Sequence, residues 1–495
     1  MAEILQANFD KSGDYPALFF EGEWITSGDV HHRAQRAAAG FAERGVSAGD
    51  RVAVMMSNCP EVFVSYRAAW QIGAVVVPIM FLMPPDEIRR ILEHSEPKAI
   101  VTTTELLPNV MQASAGLDIT IVSVGDAPEG ATSFASLLES EPGADIAERE
   151  DDDLAAILYT GGTTGQSKGV MLSHKNVAIG ARSAYEAFEV PDGERAILTL
   201  PLSHGYGLMA SVVITHSLRP VSVMMRWFDP AQWLQLIGEH KIRRSPMVPT
   251  MIRMLLAMPL EDYDLTSLEI VNLGAAPVSM DTMGEFERRV PSCRILEAYG
   301  LTESGVGATV NQASSARPGS VGRAMPGYEI KVVDDQGNEV AVDEPGEVCI
   351  RSGAVMTGYY RSPEETAIAL KDGWLYTGDI GKKDEDGFVW IVDRRKDLII
   401  RGGFNVFPRD VEDALLAHPA VEIAGVIGRP DETYGEEVVA FVSLRSGHEA
   451  TAEELIEHSK TLLGKHKYPR EVRVVGYIPL TPVGKVDRKA LRGLL

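Results

Sequence analysis

The segment YTGGTTGQSKGV, residues 159–170, places glycines and hydroxyl side chains around a single lysine, Lys168. A Walker A loop would have glycine immediately before the lysine and serine or threonine immediately after it. Here Ser167 precedes Lys168 and Gly169 follows it, so the segment is not a Walker A loop. Glycines nevertheless let backbone N–H groups turn toward an anion, and the hydroxyls and the lysine add donors and positive charge. The segment therefore predicts a loop that binds phosphate.

The length and net charge of the chain limit the number of domains and the kinds of partner that are expected. Its 495 residues exceed what one hydrophobic core serves, so two or three domains are expected. A net charge of −23 argues against nucleic acid and against an anionic membrane surface as partners, because both require a basic surface. No apolar run approaches about 18 residues, the length that spans a bilayer, so no membrane span is predicted.

The cysteines and the N-terminal segment bear on the compartment. Cys59, Cys293 and Cys349 lie far apart, without the spacing of a zinc site or of a disulfide framework. The segment MAEILQANF, residues 1–9, lacks the basic start and the apolar core of a signal peptide. Both observations favour a reducing environment, and we expect a cytoplasmic protein.

The order of predicted elements indicates an α/β fold. Short apolar strands such as RVAVMM, residues 51–56, alternate with helical patterns such as PPDEIRRILEHS, residues 84–95. This alternation predicts a parallel sheet covered by helices. The strand LAAILYT, residues 154–160, leads into the glycine-rich segment, and Ser173 is a suitable N-cap for the helix that follows.

The pattern changes after residue 327. YEIKVVDDQGNEV and GEVCIRSG, residues 328–340 and 346–353, predict antiparallel hairpins, and GFVWIVDRRKDLIIRGG, residues 387–403, predicts a further one. The remaining C-terminal residues alternate helix and strand in a compact α+β unit. We therefore predict a large N-terminal domain with parallel and mixed sheets, residues 1–393, and a small α+β domain, residues 394–495.

Four further segments place polar residues where predicted strands end, which is where open α/β sheets bind ligands. NLGAAP, residues 272–277, offers small residues that permit the close approach of a flat ligand. The others combine glycine with carboxylates, hydroxyls or a lysine: EAYGLTES (297–304), WLYTGDIG (374–381) and PLTPVGKVDRKAL (479–491). Each segment alone is typical of a solvent-exposed turn. The prediction of a binding site depends on the occurrence of all of them in this order along one chain.

In this order, YTGGTTGQSKGV, YGLTE, YTGD, DRRKDLIIRGGFNVFPRDVE and PVGK are similar to the motifs of the adenylate-forming superfamily, which includes acyl-CoA synthetases, aryl-CoA ligases, luciferase and peptide-synthetase adenylation domains. The resemblance covers nearly the whole chain. It departs at Gly161, where the family commonly has serine, and this removes one hydroxyl donor. The resemblance implies that a carboxylic acid and ATP form an acyl-adenylate and pyrophosphate with Mg²⁺, and that the acyl group then passes to an acceptor, which is CoA or, as the alternative, an amine.

The resemblance also implies a role for each motif residue. The phosphate loop would use Thr160, Gly161, Gly162, Thr163, Thr164, Gly165 and Lys168. The adenine pocket would be formed by Gly274, Ala275, Ala276, Tyr299 and Gly300. The phosphates, Mg²⁺ and the ribose would be contacted by Thr302, Glu303, Asp379 and Arg394, with Glu303 as the metal ligand. Lys485 would be the adenylation lysine of a mobile small domain, and Lys396 would be its hinge.

LPLSHGYGLM, residues 200–209, matches the family's segment that opens the acyl pocket, with His204 at the gate. The residues expected around the acid are small or apolar: Tyr206, Gly207, Met209, Met247, Val248, Gly305 and Gly307. No arginine or lysine stands out for a second carboxylate, so the sequence predicts a hydrophobic acid. It does not separate a fatty acid from an aryl acid.

Three functions are compatible with these motifs. The first is an acid–CoA ligase, and the second is an amide synthetase in which an amine attacks the adenylate directly. The third, a non-catalytic binding protein, is least favoured because every catalytic motif residue is present. The expected partners are small molecules, namely the acid and CoA or an amine, and the sequence leaves the oligomeric state open.

Overall fold

The computed structural model describes residues 1–495 except 144, 161–166, 214–215, 277 and 482–484, and at positions 210 and 211 it describes the backbone alone. The strands, numbered along the chain, are β1 Pro16–Phe20, β2 Glu23–Thr26, β3 Arg51–Met55, β4 Val75–Pro78, β5 Ala99–Thr103, β6 Thr120–Val124, β7 Thr132–Ser133, β8 Leu154–Thr160, β9 Lys168–Ser173, β10 Arg195–Leu198, β11 Val221–Met224, β12 Arg244–Met247, β13 Ile270–Leu273, β14 Arg294–Tyr299, β15 Thr309–Val310, β16 Arg323–Ala324, β17 Tyr328–Val333, β18 Gly346–Ser352, β19 Gly358–Tyr359, β20 Leu370–Lys371, β21 Trp374–Lys383, β22 Val389–Arg394, β23 Ile399–Arg401, β24 Phe404–Val406, β25 Val421–Asp431, β26 Gly435–Leu444 and β27 Glu471–Val474. The helices are α1 Ala2–Ser12, α2 Ser27–Glu43, α3 Pro60–Gln71, α4 Pro85–Ser95, α5 Leu107–Ser114, α6 Phe134–Leu137, α7 His174–Ala187, α8 Gly205–Val213, α9 Pro230–His240, α10 Pro249–Leu256, α11 Met280–Arg289, α12 Pro363–Ala369, α13 Pro408–Leu416, α14 Ala452–Leu462 and α15 Arg488–Arg492.

Two large mixed sheets form the body of the protein. One has the strand order β19-β9-β8-β4-β3-β5-β6-β7, and the other has the order β16-β15-β14-β13-β12-β10-β11-β1-β2. Their central strands are parallel. All four residues of β4 are buried, as are four of the five in β3, because both faces of the sheet are covered. The predicted α/β fold class is confirmed.

The glycine-rich segment connects two strands that pair with each other. β8 and β9 are antiparallel, and their register places Tyr159 opposite Gly169 and Thr160 opposite Lys168. The sequence analysis predicted β8 but not β9. Ser173 then caps α7 as predicted, because its Oγ accepts the N–H of Asn176 while the Asn176 side chain accepts the N–H of Ser173.

Two smaller sheets follow in the chain. β17, β18, β20, β21 and β22 form an antiparallel sheet, and β23 to β27 form a mixed sheet, with β27 parallel to β26, next to helices α13 and α14. The hairpin of β17 and β18 agrees with the prediction, but the hairpin predicted for residues 387–403 is wrong. β22 pairs with β21 in the third sheet, whereas β23 pairs with β24 and β26 in the fourth, because the 3₁₀ turn Arg395–Asp397 separates them.

This change of sheet supports the predicted division into residues 1–393 and 394–495, which we retain as a proposal. The division falls at the last residue of β22 and immediately before the 3₁₀ turn. The two hydrophobic clusters beyond the turn contain only residues from Ile399 onward among their buried members. The C-terminal unit therefore has a core of its own.

The capping of α7 leads to a stability prediction. Ser173→Ala removes the acceptor for the N–H of Asn176 at a fully buried helix start, and such a change typically costs about 1 kcal/mol. We expect the free energy of unfolding in urea to fall by about that amount. Ser314→Ala, at an exposed turn, is the matched control and should leave the midpoint unchanged. Equal midpoints for the two variants would show that the cap contributes nothing.

Candidate active site

The carboxyl ends of β13 and β14 open onto a cavity of about 1360 Å³. Residues of the third sheet and of the C-terminal unit close its other side. Of the residues predicted from the sequence, the following line this cavity: Thr160, Lys168, His204, Tyr206, Met209, Gly274, Ala275, Ala276, Tyr299, Gly300, Thr302, Glu303, Gly305, Gly307, Asp379, Arg394, Lys396 and Lys485. The fold thus brings together segments that are more than 300 residues apart in sequence, from Thr160 to Lys485.

Eight further site residues were predicted from the sequence. Gly161, Gly162, Thr163, Thr164 and Gly165 lie outside the described residues. Three predicted neighbours of the acid do not line the cavity, and we correct them here: Gly207, Met247 and Val248.

Side-chain direction and close backbone packing explain why these three residues do not line the cavity. Successive side chains of β12 point to opposite faces, so Pro246 lines the cavity while Met247 is fully buried in the hydrophobic core behind it. Val248 packs against that same core. Gly207 is packed against backbone, since a Cβ there would lie 2.0 Å from the Pro201 carbonyl oxygen.

A buried carboxylate, Asp379, is held by two partners in the cavity wall. Tyr299, the last residue of β14, donates its hydroxyl to Asp379 Oδ2 at 2.7 Å. Arg394 Nε lies 3.0 Å from Asp379 Oδ1, and the two residues are direct register partners on β21 and β22. Burial and the nearby carboxylate raise the pKa of Tyr299 well above its usual value, so the phenol stays protonated as a donor.

A second cluster of charged groups lies beside the end of β8. Tyr359 donates its hydroxyl to Glu303 Oε1 at 2.9 Å. Lys168 Nζ lies 3.0 Å from Glu365 Oε1 and 5.0 Å from the centroid of the Tyr359 ring. The lysine of the glycine-rich segment therefore faces a carboxylate, and the hydroxyl of Tyr359 orients a second one. The sequence analysis missed Tyr359 and Glu365, because neither belongs to a motif that it used.

Lys485 reaches this cavity from the C-terminal unit. Thr481 and Lys485 are joined by two hydrogen bonds, from Thr481 N to Lys485 O at 2.7 Å and from Lys485 N to Thr481 Oγ1 at 3.2 Å. Burial lowers the pKa of Lys485 to about 8, and the positive charge of Arg394 adds to this effect. The carboxylates of Asp379 and Glu303 act in the opposite direction. The ammonium group therefore lies within the field of the two carboxylates that the large domain supplies.

His204 is a neutral group in the cavity wall. Burial lowers its pKa to about 4, and the charge of Lys485 lowers it further in the same direction. His204 Nδ1 accepts the backbone N–H of Tyr206 at 3.2 Å, so the ring proton of the neutral form is on Nε2. The side chain can therefore donate one hydrogen bond from Nε2.

The 3₁₀ turn Arg395–Asp397 is anchored differently on its two sides. Arg395 binds Glu347 at 2.9 Å and Asp335 at 2.6 Å, both in the N-terminal part. The buried Asp397 lies 3.2 Å from Arg492 in the C-terminal unit. Lys396 stands between these anchors and lines the cavity. Neither anchor involves Lys396 itself, so the arrangement is compatible with the hinge predicted at this residue.

Glu303, which the resemblance implies as the Mg²⁺ ligand, lines the cavity. Mg²⁺ at nucleotide sites is commonly held by one or two carboxylates, and the substrate phosphates supply further ligands. Within the described part of the chain no group of three or more His, Cys, Asp or Glu side chains could hold a metal ion alone. Glu303 shares the cavity with Lys168, and one such carboxylate would suit an ion that arrives with ATP.

Family models match most of the chain. The model described as "AMP-binding enzyme" matches residues 5–360, and the model described as "AMP-binding enzyme C-terminal domain" matches residues 410–485. A long-chain-fatty-acid–CoA ligase of Bacillus subtilis (strain 168) is 34% identical, and the match covers 99% of this chain and 94% of the relative. 4-Coumarate–CoA ligase 2 of Solanum tuberosum is 33% identical, with coverage of 95% and 89%.

Solved structures are similar over the whole length. ATP-bound MatB from Rhodopseudomonas palustris has a TM-score of 0.92 at 32% identity, covering 100% of this chain and 98% of that one. The apo form of MatB has a TM-score of 0.81, so the arrangement of this chain is closer to the ATP-bound form. The amide bond synthetase McbA from Marinactinospora thermotolerans has a TM-score of 0.90 at 27% identity, covering 100% and 99%. Among the described residues, no helix has the length and apolar character needed to cross a bilayer.

The depressed pKa of Lys485 leads to a prediction for pH dependence. A lysine with a pKa of about 8 loses its charge as pH rises through that value, so kcat/KM for ATP in the adenylation half-reaction should fall above pH 8. Lys485→Arg keeps the charge at every accessible pH and should remove this alkaline decline, even if the rate is lower. The measurement is ATP–pyrophosphate exchange between pH 6 and 10. An unchanged alkaline limb in the arginine variant would assign the decline to another group.

Proposed function

The chain belongs to the AMP-binding enzymes of the adenylate-forming superfamily, and from this premise we propose that it activates a hydrophobic carboxylic acid with ATP and transfers the acyl group to CoA. An AMP-forming acid–CoA ligase is the activity that the relatives support in general. One observation carries the assignment of the site. Lys485 from the C-terminal unit shares one cavity with Lys168, Glu303 and Asp379 from the large domain.

The proposed first step joins the acid to AMP. A carboxylate oxygen attacks the α-phosphorus of ATP, the bond to the bridging oxygen of pyrophosphate breaks, and acyl-AMP and pyrophosphate result. Both reactants are anionic, so Lys168 and Lys485 would lower the barrier by offsetting negative charge on the phosphates. Mg²⁺ held by Glu303 and the phosphates would supply further positive charge. Thr160 and Thr302 would donate hydrogen bonds to phosphate oxygens.

The proposed nucleoside site uses the remaining part of the cavity. Asp379 would accept hydrogen bonds from the ribose hydroxyls, and Arg394 would donate to them, because both line the cavity and hold each other in place. Gly274 and Ala275 would present backbone to the adenine. Ala275 has φ 70°, a conformation that is unfavourable for residues with a Cβ and is often retained at ligand sites.

The acid would bind on the other side of His204. The side chains that line this part of the cavity on α7, β10 and α8 are apolar, among them Ala184, Leu198, Met209 and Val213. Apolar walls favour a substrate whose hydrocarbon part leaves water on binding. This supports a fatty or aryl acid, in agreement with what the names of the curated relatives state for those proteins.

The proposed second step uses CoA. The thiol sulfur attacks the acyl carbonyl carbon, its proton passes to solvent, and AMP leaves as the thioester forms. The alternative acceptor is an amine, which would give an amide and AMP, and the similarity to McbA favours it as a second candidate. Mass spectrometry of products formed with CoA, and separately with a panel of amines, distinguishes the two.

Glu303 provides a direct test of the first step. Purified enzyme with fatty and aryl acids should catalyse ATP–pyrophosphate exchange, and Glu303→Gln should reduce the rate about a hundredfold because the Mg²⁺ ligand and its charge are lost. Glu329→Gln, at an exposed ion pair with Arg351, is the matched control and should retain the rate. Background exchange across the whole acid panel in the unmodified enzyme would refute the proposed function.

Lys485 and Lys396 separate the two half-reactions. Lys485→Ala should cripple adenylation yet still transfer a supplied acyl-adenylate to its acceptor. Lys396→Pro should do the reverse, because proline fixes φ near −65° and resists rotation of the hinge. Lys396→Ala, which removes the charge without fixing φ, should affect transfer much less than the proline variant. Equal losses in both half-reactions for Lys485→Ala and Lys396→Pro, with the fold intact, would contradict a two-conformation mechanism.

A further inference from the structure

A second, smaller cavity lies among the N-terminal helices. It has a volume of about 80 Å³, and residues of α1, α2, α3, α8, β1 and β11 line it. We call it the rear cavity. Most of its lining side chains are apolar, among them Leu5, Phe9, Leu18, Phe63 and Trp70. None of its described lining residues also lines the large cavity of the candidate active site, so the two are distinct spaces.

Helix α8 lies between the two cavities. Met209 and Val213 line the large cavity, whereas Val212 lines the rear cavity. Successive residues of an α-helix point about 100° apart, so neighbouring side chains of α8 can border different spaces. Tyr66, which lines the rear cavity, donates its hydroxyl to the Leu202 carbonyl oxygen at 3.1 Å. A ligand in the rear cavity would therefore lie behind the segment that is predicted to open the acyl pocket.

Arg67, on α3, is the one charged residue among the described residues that line the rear cavity. Within the part of the chain that the structure describes, its guanidinium group makes no hydrogen bond and no ion pair. Arginines on adjoining segments do have partners. Arg33 pairs with Glu61, and Arg219 Nε donates to the Ser12 carbonyl oxygen at 2.9 Å. Arg67 thus differs from these arginines in lacking an acceptor.

The titratable groups near Arg67 do not supply a negative charge. Burial lowers the pKa of Arg67 to about 10, and the phenol of Tyr15 acts in the opposite direction. Burial raises the pKa of Tyr15 to about 12, so this phenol is uncharged at neutral pH. His31, whose pKa is lowered by burial, by His32 and by Arg67, is a neutral neighbour. Because a charge removed from water is stable when it is paired, Arg67 requires a counter-ion that the described side chains do not provide.

The rear cavity has room for a small anion. One water molecule needs roughly 10–15 Å³ of such space, so a volume of about 80 Å³ admits a ligand of about six non-hydrogen atoms. The hydroxyls in the wall are already used as donors, since Tyr15 donates to the Pro220 carbonyl oxygen at 3.2 Å and Ser27 donates to the Gly13 carbonyl oxygen at 2.8 Å. Arg67 is therefore the donor available to an anion. One guanidinium in an apolar wall suits a monocarboxylate, whereas a phosphate dianion would need more donors.

We propose that the rear cavity binds a short aliphatic monocarboxylate of about six non-hydrogen atoms. Its carboxylate is the counter-ion of Arg67, and its alkyl chain packs among Leu18, Phe63 and Trp70. The proposal goes beyond the proposed function and does not depend on it, because this binding needs neither ATP nor the large cavity.

The test compares a charged ligand with its neutral isostere. Full-length enzyme without ATP or Mg²⁺ is titrated with sodium butyrate, and separately with butyramide, and the Kd values are obtained by ligand-observed NMR at constant ionic strength. Butyrate should bind, and butyramide should bind at least about tenfold more weakly, because a hydrogen bond to a charged group is stronger than one between neutral groups. Equal concentrations of inorganic phosphate or chloride should not displace butyrate.

Variants assign the binding to the rear cavity. Arg67→Met keeps a side chain of similar length without the charge, an exchange that proteins often tolerate, and should raise the Kd for butyrate at least about tenfold. Ala17→Leu keeps Arg67 but fills part of the cavity, so it should weaken butyrate more than acetate. Arg36→Gln is the matched control: Arg36 is exposed on α2, outside the cavity wall, and its loss changes the net charge equally. It should leave the Kd unchanged.

Each remaining outcome overturns the proposal. The unmodified enzyme may bind no butyrate, bind butyramide equally well, or release butyrate to phosphate or chloride. A Kd that is the same in Arg67→Met and Ala17→Leu as in the unmodified enzyme would place the butyrate elsewhere, for example in the large cavity. Should Arg67→Met fail to fold, as judged by circular dichroism, Ala17→Leu decides. Acyl-adenylate formation is measured separately by ATP–pyrophosphate exchange, so its failure and the failure of this proposal are distinguishable.

Discussion

One buried carboxylate, Asp379, connects the parts of the candidate site. Tyr299 holds it from the end of a parallel strand, and Arg394 holds it from the antiparallel sheet that follows. Arg394 is also the last residue before the hinge turn, so the same ion pair fixes where the C-terminal unit begins. A charge this deeply buried is stable only while it is paired, and removing one partner would leave it uncompensated. The geometry of the site and the place where the C-terminal unit begins therefore both depend on the carboxylate of Asp379.

Much of the candidate site could be predicted from the sequence, because ligand-binding turns have a recognisable amino-acid composition. The glycine-rich segment, the turn at Gly274 and the segments around Glu303 and Lys485 each combine small residues with specific polar groups. The structure places described residues of each around one cavity, among them Thr160, Lys168, Gly274, Glu303 and Lys485. The fold class could be predicted for a related reason, since alternating strand and helix patterns leave few topologies. The order of strands across each sheet could not, because it is set by contacts between distant segments.

Other features depend on side-chain direction, which no local pattern reveals. Arg243 and Arg244 are adjacent, yet one is an exposed partner of Glu269 and the other is buried against Glu194. From the sequence alone, the two arginines resemble any pair of charged residues at the start of a strand. The same alternation turns Met247 away from the cavity. The hairpin predicted for residues 387–403 was wrong for a different reason. Its two strands, β22 and β23, belong to separate sheets, and the sequence pattern does not show where the chain passes from one sheet to the next.

The ion pair between Lys168 and Glu365 has a consequence for the energetics of nucleotide binding. Glu365 Oε1 lies 3.0 Å from the ammonium nitrogen of Lys168 and is its counter-ion. Under the proposed function, a phosphate that binds Lys168 would therefore replace the carboxylate of Glu365 as the partner of the ammonium group. It would not meet an unpaired positive charge. The net electrostatic gain is the difference between two similar pairings, which is smaller than the number of charges suggests. The same exchange would run in reverse when pyrophosphate departs, with Glu365 again becoming the partner of Lys168.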